Sequence, residues 1–181
     1  MLDEIKQVQE TATLIYSEQQ VETALDEMAQ QISLTLLHSN PVVLCVLNGG
    51  IVTLGKLLTR LDFPLTVDSL LASRYRNQTR GGEINWQLKP ATDLQDRTVL
   101  IVDDILDEGH TLKAIIDFCR QQGAREVYSA VLVEKQLSAQ KPVEADFVGL
   151  MTENYYLFGY GMDYKGYLRN AAGIYACKEL Q

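Results

Sequence analysis

The chain has 181 residues, with 46% hydrophobic and 22% charged residues, enough to bury one sizeable core and too apolar for a disordered chain. Its net charge is −8 at neutral pH, so bulk electrostatics do not draw it to nucleic acid. No run of about 18 apolar residues is present, so no membrane-spanning helix is expected.

The start, Met-Leu-Asp-Glu-Ile-Lys, lacks the charged-then-apolar layout of a secretory leader. Cys45, Cys119 and Cys177 are scattered and show no metal or redox spacing. They read as reduced thiols of a cytoplasmic protein. His38 and His110 are too far apart in sequence to suggest a metal cluster.

A short helix is expected over 3–9. Ser17 is a candidate N-cap for a long amphipathic helix over 18–37, in which Val21, Ala24, Leu25, Met28, Ile32 and Leu36 recur at helical spacing. Pro41 opens the apolar run Val42 to Leu47, which reads as a buried strand. It ends in Asn48-Gly49-Gly50, and a helix follows over 51–61. A Gly-rich turn delivered by a strand to a helix N-terminus is a natural anion site, although a tight turn alone also needs glycine.

A strand over 65–72 leads into a polar, basic stretch over 73–82 that carries Arg74, Arg76 and Arg80. Residues 83–88 alternate and read as a returning hairpin arm, and 90–97 as a connector. A long polar excursion inside a compact domain reads as either functional or disordered.

The most informative stretch is 99–112. Val99 to Val102 is a continuous apolar run, expected as a strand buried on both faces and ending at Asp103 and Asp104. Asp107, Glu108, Gly109, His110 and Thr111 then lead into a helix over 112–122, with Gly123 as its stop. The first helical turn offers unpartnered N–H groups and the positive end of the dipole, so it suits a phosphate. Asp103 and Asp104 fall at the carboxyl end of a strand, where open α/β sheets bind ligands. Two such acids suit vicinal hydroxyls or a hydrated Mg²⁺. No Gly-x-x-x-x-Gly-Lys-Ser/Thr occurs, so this is not a P-loop. Another strand over 127–133 ends in Glu134-Lys135. A short one is expected near 146–150, followed by a tyrosine-rich tail over 154–170.

Four apolar residues, two acids, two apolar residues, Asp, any residue, Gly, any residue and Thr, read over 99–111, resemble the phosphoribosyl pyrophosphate (PRPP) motif of the type I phosphoribosyltransferases. The tail adds Gly-Tyr, then Asp163-Tyr164, then Tyr167-Leu168-Arg169, and resembles the 6-oxopurine (hypoxanthine-guanine) members. Together the similarity runs over about residues 40 to 175. It implies one α/β domain over 1–181. The expected architecture is a mostly parallel sheet flanked by helices, with a small hood of N- and C-terminal segments and a mobile loop.

The resemblance also implies site roles. Asp103 and Asp104 would hold the ribose hydroxyls and place Mg²⁺. Asp107 would be the general acid/base at purine N7, and Asp107, Glu108, Gly109, His110 and Thr111 would bind the 5′-phosphate. Asn48, Gly49 and Arg169 would meet pyrophosphate. Asn48 departs from the usual lysine, and a cis peptide is expected between Leu47 and Asn48. Lys135 would donate to the 6-oxo group, Tyr156 would stack on the base, and Leu157 and Asp163 would lie near its 2-position. Asp163 would help hold a second Mg²⁺. Ser73 and Tyr75 would serve the mobile loop, with Arg74 inserted between them.

The reaction implied is Mg²⁺-dependent transfer of the 5-phosphoribosyl group from PRPP to hypoxanthine or guanine, by a homodimer or homotetramer. Two other readings stand beside it: a PRPP-binding regulator of RNA or a protein, disfavoured by the acidic balance, and a phosphoacceptor receiver domain. The latter gives the Gly109–Thr111 turn no task.

Overall fold

A computed structural model describes residues 1–74 and 84–177. Its main sheet has six strands in the order β4-β3-β2-β5-β6-β7. They are β2 (Val42–Val46), β3 (Thr66–Arg74), β4 (Ile84–Leu88), β5 (Thr98–Leu106), β6 (Glu126–Lys135) and β7 (Phe147–Thr152). All neighbours pair in parallel except β4, which returns antiparallel on β3 as the expected hairpin arm.

Strand residues alternate between two apolar clusters. Val43, Cys45, Leu100, Val102, Ala130 and Leu132 face helices α2 (Glu18–Leu36) and α3 (Gly50–Leu58). Val42, Leu44, Val46, Val99, Ile101 and Val131 face α4 (His110–Gln121), which contributes Leu112, Ile115, Ile116 and Cys119. Both faces are covered, which is why β2 and the first half of β5 read as unbroken apolar runs.

The N-terminus of α2 is fixed by a capping box. The Ser17 side chain accepts from the Gln20 backbone N–H, and the Gln20 side chain accepts from the Ser17 N–H. A helix α1 (Leu2–Thr11) precedes it and is longer than the sequence suggests.

Three further findings differ from the sequence reading. First, β5 does not stop at Val102. It runs through both acids to Leu106 and stays in register with β6 along the way. Second, α4 begins at His110, so the turn between strand and helix is only 107–109. Third, a second sheet, β1-β9-β8, forms from β1 (Thr13–Tyr16), β8 (Leu157–Phe158) and β9 (Ile174–Ala176). It joins the two ends of the chain antiparallel and packs Leu157, Ile174 and Ala176 onto the α2–α3 side of the core.

The strand order fixes where a ligand can sit. The chain leaves β2 toward β3 on one side, and leaves β5 toward β6 on the other. The crevice at the carboxyl ends of β2 and β5 is therefore a topological switch point.

Candidate active site

Two loops meet at that crevice. Beyond β2 the chain passes through a cis Leu47–Asn48 peptide, as expected, and enters α3. Gly49 and Gly50 let this turn lie directly on the end of β5. A Cβ on Gly49 would sit 2.1 Å from Asp104 Oδ2, and one on Gly50 would sit 2.6 Å from the Val102 carbonyl oxygen. Asn48 is exposed at the rim.

Because β5 continues through the acids, Asp103 and Asp104 leave the strand on opposite faces. Asp104 is buried, at 7% exposure, and Asp103 is partly covered. Burial, together with the neighbouring Asp104 carboxylate, pushes Asp103 well above the ordinary carboxylate range. Burial raises Asp104 as well, while Asp103 and the Arg169 guanidinium pull it down. An acid pair with this much unrelieved repulsion favours a cation or several hydroxyl donors between its oxygens.

Beyond β5 the turn exposes Asp107 and Glu108 and buries Gly109, which holds φ +83° as the N-cap of α4. Such a φ suits glycine. His110 and Thr111 lie in the first helical turn, so their N–H groups are among those that lack an intrahelical acceptor. Lys135 ends β6, only 9% exposed, and its Nζ donates to Asp107 Oδ2 at 2.9 Å. A lysine and an aspartate named separately in the sequence thus form one ion pair across the ends of adjacent strands.

The tail supplies the opposite wall. Arg169 donates from Nη1 to the Gly161 carbonyl at 2.6 Å, and its Nη2 pairs with Asp163 Oδ1 at 2.7 Å. Asp163 Oδ2 also accepts from the Gly166 N–H. Gly161 presses on the cis-peptide turn, where a Cβ would stand 2.1 Å from the Gly49 carbonyl oxygen and 3.5 Å from the Asp104 Cβ. Tyr156 is 55% exposed and meets Tyr164 edge-on. Leu157 turns its side chain into the core.

Among the described residues, no three acidic, histidine or cysteine side chains gather as a metal cage. The three carboxylates that the resemblance assigns to metal therefore form two stations, Asp103 with Asp104, and Asp163 on Arg169. Ser73 is exposed on β3, where its Oγ accepts from Gln87 Nε2 at 3.2 Å. Tyr75, like Arg76 and Arg80, lies outside the described residues.

Sequence reasoning gave no role to Gly161, although the Gly159-Tyr160-Gly161 spacing was a visible signal of a close approach. It also missed Glu22, which joins three elements. Glu22 accepts from Lys56 and Arg60 of α3 and its flank, and from the Tyr160 hydroxyl of the tail. A hollow of about 950 Å³ among Leu34, His38, Arg60 and Arg125 lies at the amino ends of the strands, at the far end of the sheet from the acids.

A phosphoribosyl transferase domain matches residues 11–165. The chain belongs to the phosphoribosyl transferase family. Hypoxanthine-guanine phosphoribosyltransferase from Streptococcus pneumoniae is 30% identical over 167 residues, spanning 92% of this chain and 93% of that relative. The bifunctional protein TilS/HprT of Listeria innocua is 31% identical over 158 residues, 87% of this chain, and the match spans only 24% of that longer relative. A solved hypoxanthine-guanine phosphoribosyltransferase from Bacillus anthracis superposes with a TM-score of 0.86 at 26% identity, covering 92% of this chain and 98% of that one. Family membership accounts for the parallel sheet with its switch point between β2 and β5.

Proposed function

We propose that this chain transfers the 5-phosphoribosyl group of PRPP to hypoxanthine or guanine, giving IMP or GMP and pyrophosphate, as a step of purine salvage. The observation that carries the reading is the Lys135–Asp107 pair at the ends of β6 and β5. It sets a hydrogen-bond donor for a 6-oxo oxygen beside a carboxylate able to handle the N7 proton. An ammonium has three N–H donors, and the Asp107 bond engages one of them. A 6-amino purine offers Lys135 a donor instead of an acceptor, so adenine is excluded.

In the proposed reaction the bond between ribose C1 and the pyrophosphate oxygen breaks, and its electron pair leaves with pyrophosphate. Purine N9 closes on C1, and Asp107 takes the proton from N7. Positive charge develops on the sugar between the Asp103 and Asp104 carboxylates, which also accept from its hydroxyls. The 107–109 turn and the first turn of α4 bind the 5′-phosphate through backbone N–H groups and the Thr111 hydroxyl. Tyr156 stacks on the base, and Asp163 and the Leu157 backbone border its 2-position. Asn48 and Gly49 line the pyrophosphate, and Arg169 supplies cationic charge in place of the missing lysine. Ser73, near the end of β3, and Tyr75 are the residues that the family resemblance gives to a mobile loop.

The oxygen-only donors Asp103 and Asp104, with Asp163 as a second station, fit Mg²⁺, which would neutralise charge on the pyrophosphate when bound. The small sheet serves as the hood of a single 1–181 domain. Free thiols support a cytoplasmic location. The exposed apolar residues Leu34, Ile51 and Val67 support a homodimer or homotetramer.

The test is a product assay with PRPP and Mg²⁺ against hypoxanthine, guanine, xanthine, adenine and orotate in parallel. Turnover of hypoxanthine or guanine is expected, with adenine and orotate inert. PRPP binding without turnover of any base would overturn the reading in favour of a regulator.

A further inference from the structure

The connector from β6 to β7 takes no part in the chemistry proposed above, yet its Lys141 is bound to the site's framework. The Lys141 side chain is 10% exposed. Its Nζ donates to the Lys135 carbonyl at 2.6 Å, to Glu134 Oε1 at 2.9 Å and to the Leu106 carbonyl at 3.3 Å. Three acceptors match the three N–H donors of an ammonium. Leu106 and Glu134 face each other in the β5–β6 register, so one cation closes the ends of the two central strands.

The identity of the two carbonyls matters. The Leu106 carbonyl belongs to the peptide bond that enters Asp107, and the Lys135 carbonyl belongs to the residue whose ammonium holds Asp107. Lys141 therefore grips the backbone at both partners of the Lys135–Asp107 pair. The next two residues reinforce this. A Cβ on Gly109 would lie 3.2 Å from Val143 Cγ1 and 3.4 Å from Pro142 Cδ. The stretch 141–143 thus backs the 107–109 turn from behind.

We infer that Lys141 is a positioning residue for the purine end of the site: by holding the Leu106 and Lys135 carbonyls it keeps the Lys135 ammonium on the Asp107 carboxylate. The proposal rests on the purine-transferase reading for its effect on turnover. A general structural role would come from the Lys141–Glu134 ion pair alone. The two are separable, because Lys141→Met and Glu134→Gln both remove the ion pair, but only Lys141→Met releases the carbonyls.

Steady-state kinetics, PRPP titration and thermal melts of the full chain decide between them. Lys141→Met should lose about 10- to 100-fold in kcat/KM for hypoxanthine, with the PRPP Kd within about threefold, on the scale of lost supporting contacts around a site. Glu134→Gln should melt at about the same lowered temperature as Lys141→Met while keeping kcat/KM within about threefold, and Lys141→Arg should recover most of the activity. Wild-type kcat/KM in Lys141→Met, or an equal loss in Glu134→Gln, would overturn the proposal. If Lys141→Met yields no folded protein, Lys141→Gln takes its place, since its short amide cannot span three acceptors, and the same split is expected.

A crystal structure of the variant reads the proposal without any turnover. Lys135 Nζ should move beyond ion-pair distance, about 4 Å, from Asp107 Oδ2. A pair kept at its wild-type separation would overturn it. Wild-type protein inert toward every purine would sink the functional reading and leave this structural readout to decide on Lys141.

Discussion

Asp107 is half exposed yet tethered, and this combination suits a group that must exchange a proton and still keep its place. Lys135 Nζ donates to its Oδ2 at 2.9 Å and fixes where the carboxylate stands. Asp107→Asn keeps the shape and removes the base. It should lower kcat by about 10²- to 10³-fold while the PRPP Kd changes by less than about threefold. Equal losses in both would assign Asp107 to binding alone. Gly49 makes a different kind of contribution, through the atoms it lacks. A methyl group there would overlap the Asp104 carboxylate, 2.1 Å from its Oδ2 and 2.4 Å from its Cγ. Gly49→Ala should therefore displace Asp104 and weaken PRPP binding at least tenfold by calorimetry, although no charge has changed. Unaltered binding would show that the turn can retreat from the acid pair.

At the level of elements, Glu22 is the tie among α2, α3 and the tail. Lys56 and the Tyr160 and Arg60 hydrogen bonds hold its carboxyl down to about 2, against the opposing effect of burial. A depressed carboxylate stabilises the fold above its unfolded pKa of about 4.5, and that stability drains away as pH falls toward 2. Glu22→Gln should lower unfolding free energy by about 1–2 kcal/mol at pH 7, and the gap to wild type should narrow as pH drops from 5 to 3. Urea melts across that range check it, and a gap independent of pH would count against the tie. This network was hidden in the sequence because its partners stand 34 and 138 residues apart. The same applies to the small sheet, whose strands β8 and β9 have two and three residues, too few to show a period, and whose β9 pairs with β1 from the far end of the chain. What was legible had local causes. The N-cap at Ser17, the apolar runs of β2 and β5, and the glycine-bearing turn into α4 are each set by neighbours within a few residues. The length of β5 was misread because two charged residues normally end a buried strand, and here they are the ligand-facing end of one.

The whole molecule carries 24 acidic against 16 basic residues, and its proposed substrate is a polyanion. Its field therefore disfavours the RNA that a regulator would bind, and no RNA retardation is expected even at low salt. The same field opposes PRPP, and the basic groups at the strand ends do not simply cancel it. Lys135 holds Asp107, Lys141 holds Glu134, and Arg169 holds Asp163, while the turn after β2 offers the uncharged Asn48. The acid pair Asp103–Asp104 is already strained by its own repulsion before any phosphate arrives. Binding of PRPP should for this reason be coupled to a divalent cation more tightly than in a site with a free lysine on the turn. Ligand at about 100 times its Kd adds about 2.7 kcal/mol to stability, and a domain of this size shifts its Tm by about 2–4 °C per kcal/mol. PRPP with Mg²⁺ should then raise the Tm by about 5–10 °C, and EDTA should abolish the shift. Asn48→Lys should restore part of it in EDTA, because the new ammonium supplies charge where the pyrophosphate is proposed to lie. A full PRPP shift in EDTA for the unaltered protein would mean that its own cations already suffice, with Arg169 released from Asp163 as the first group to inspect.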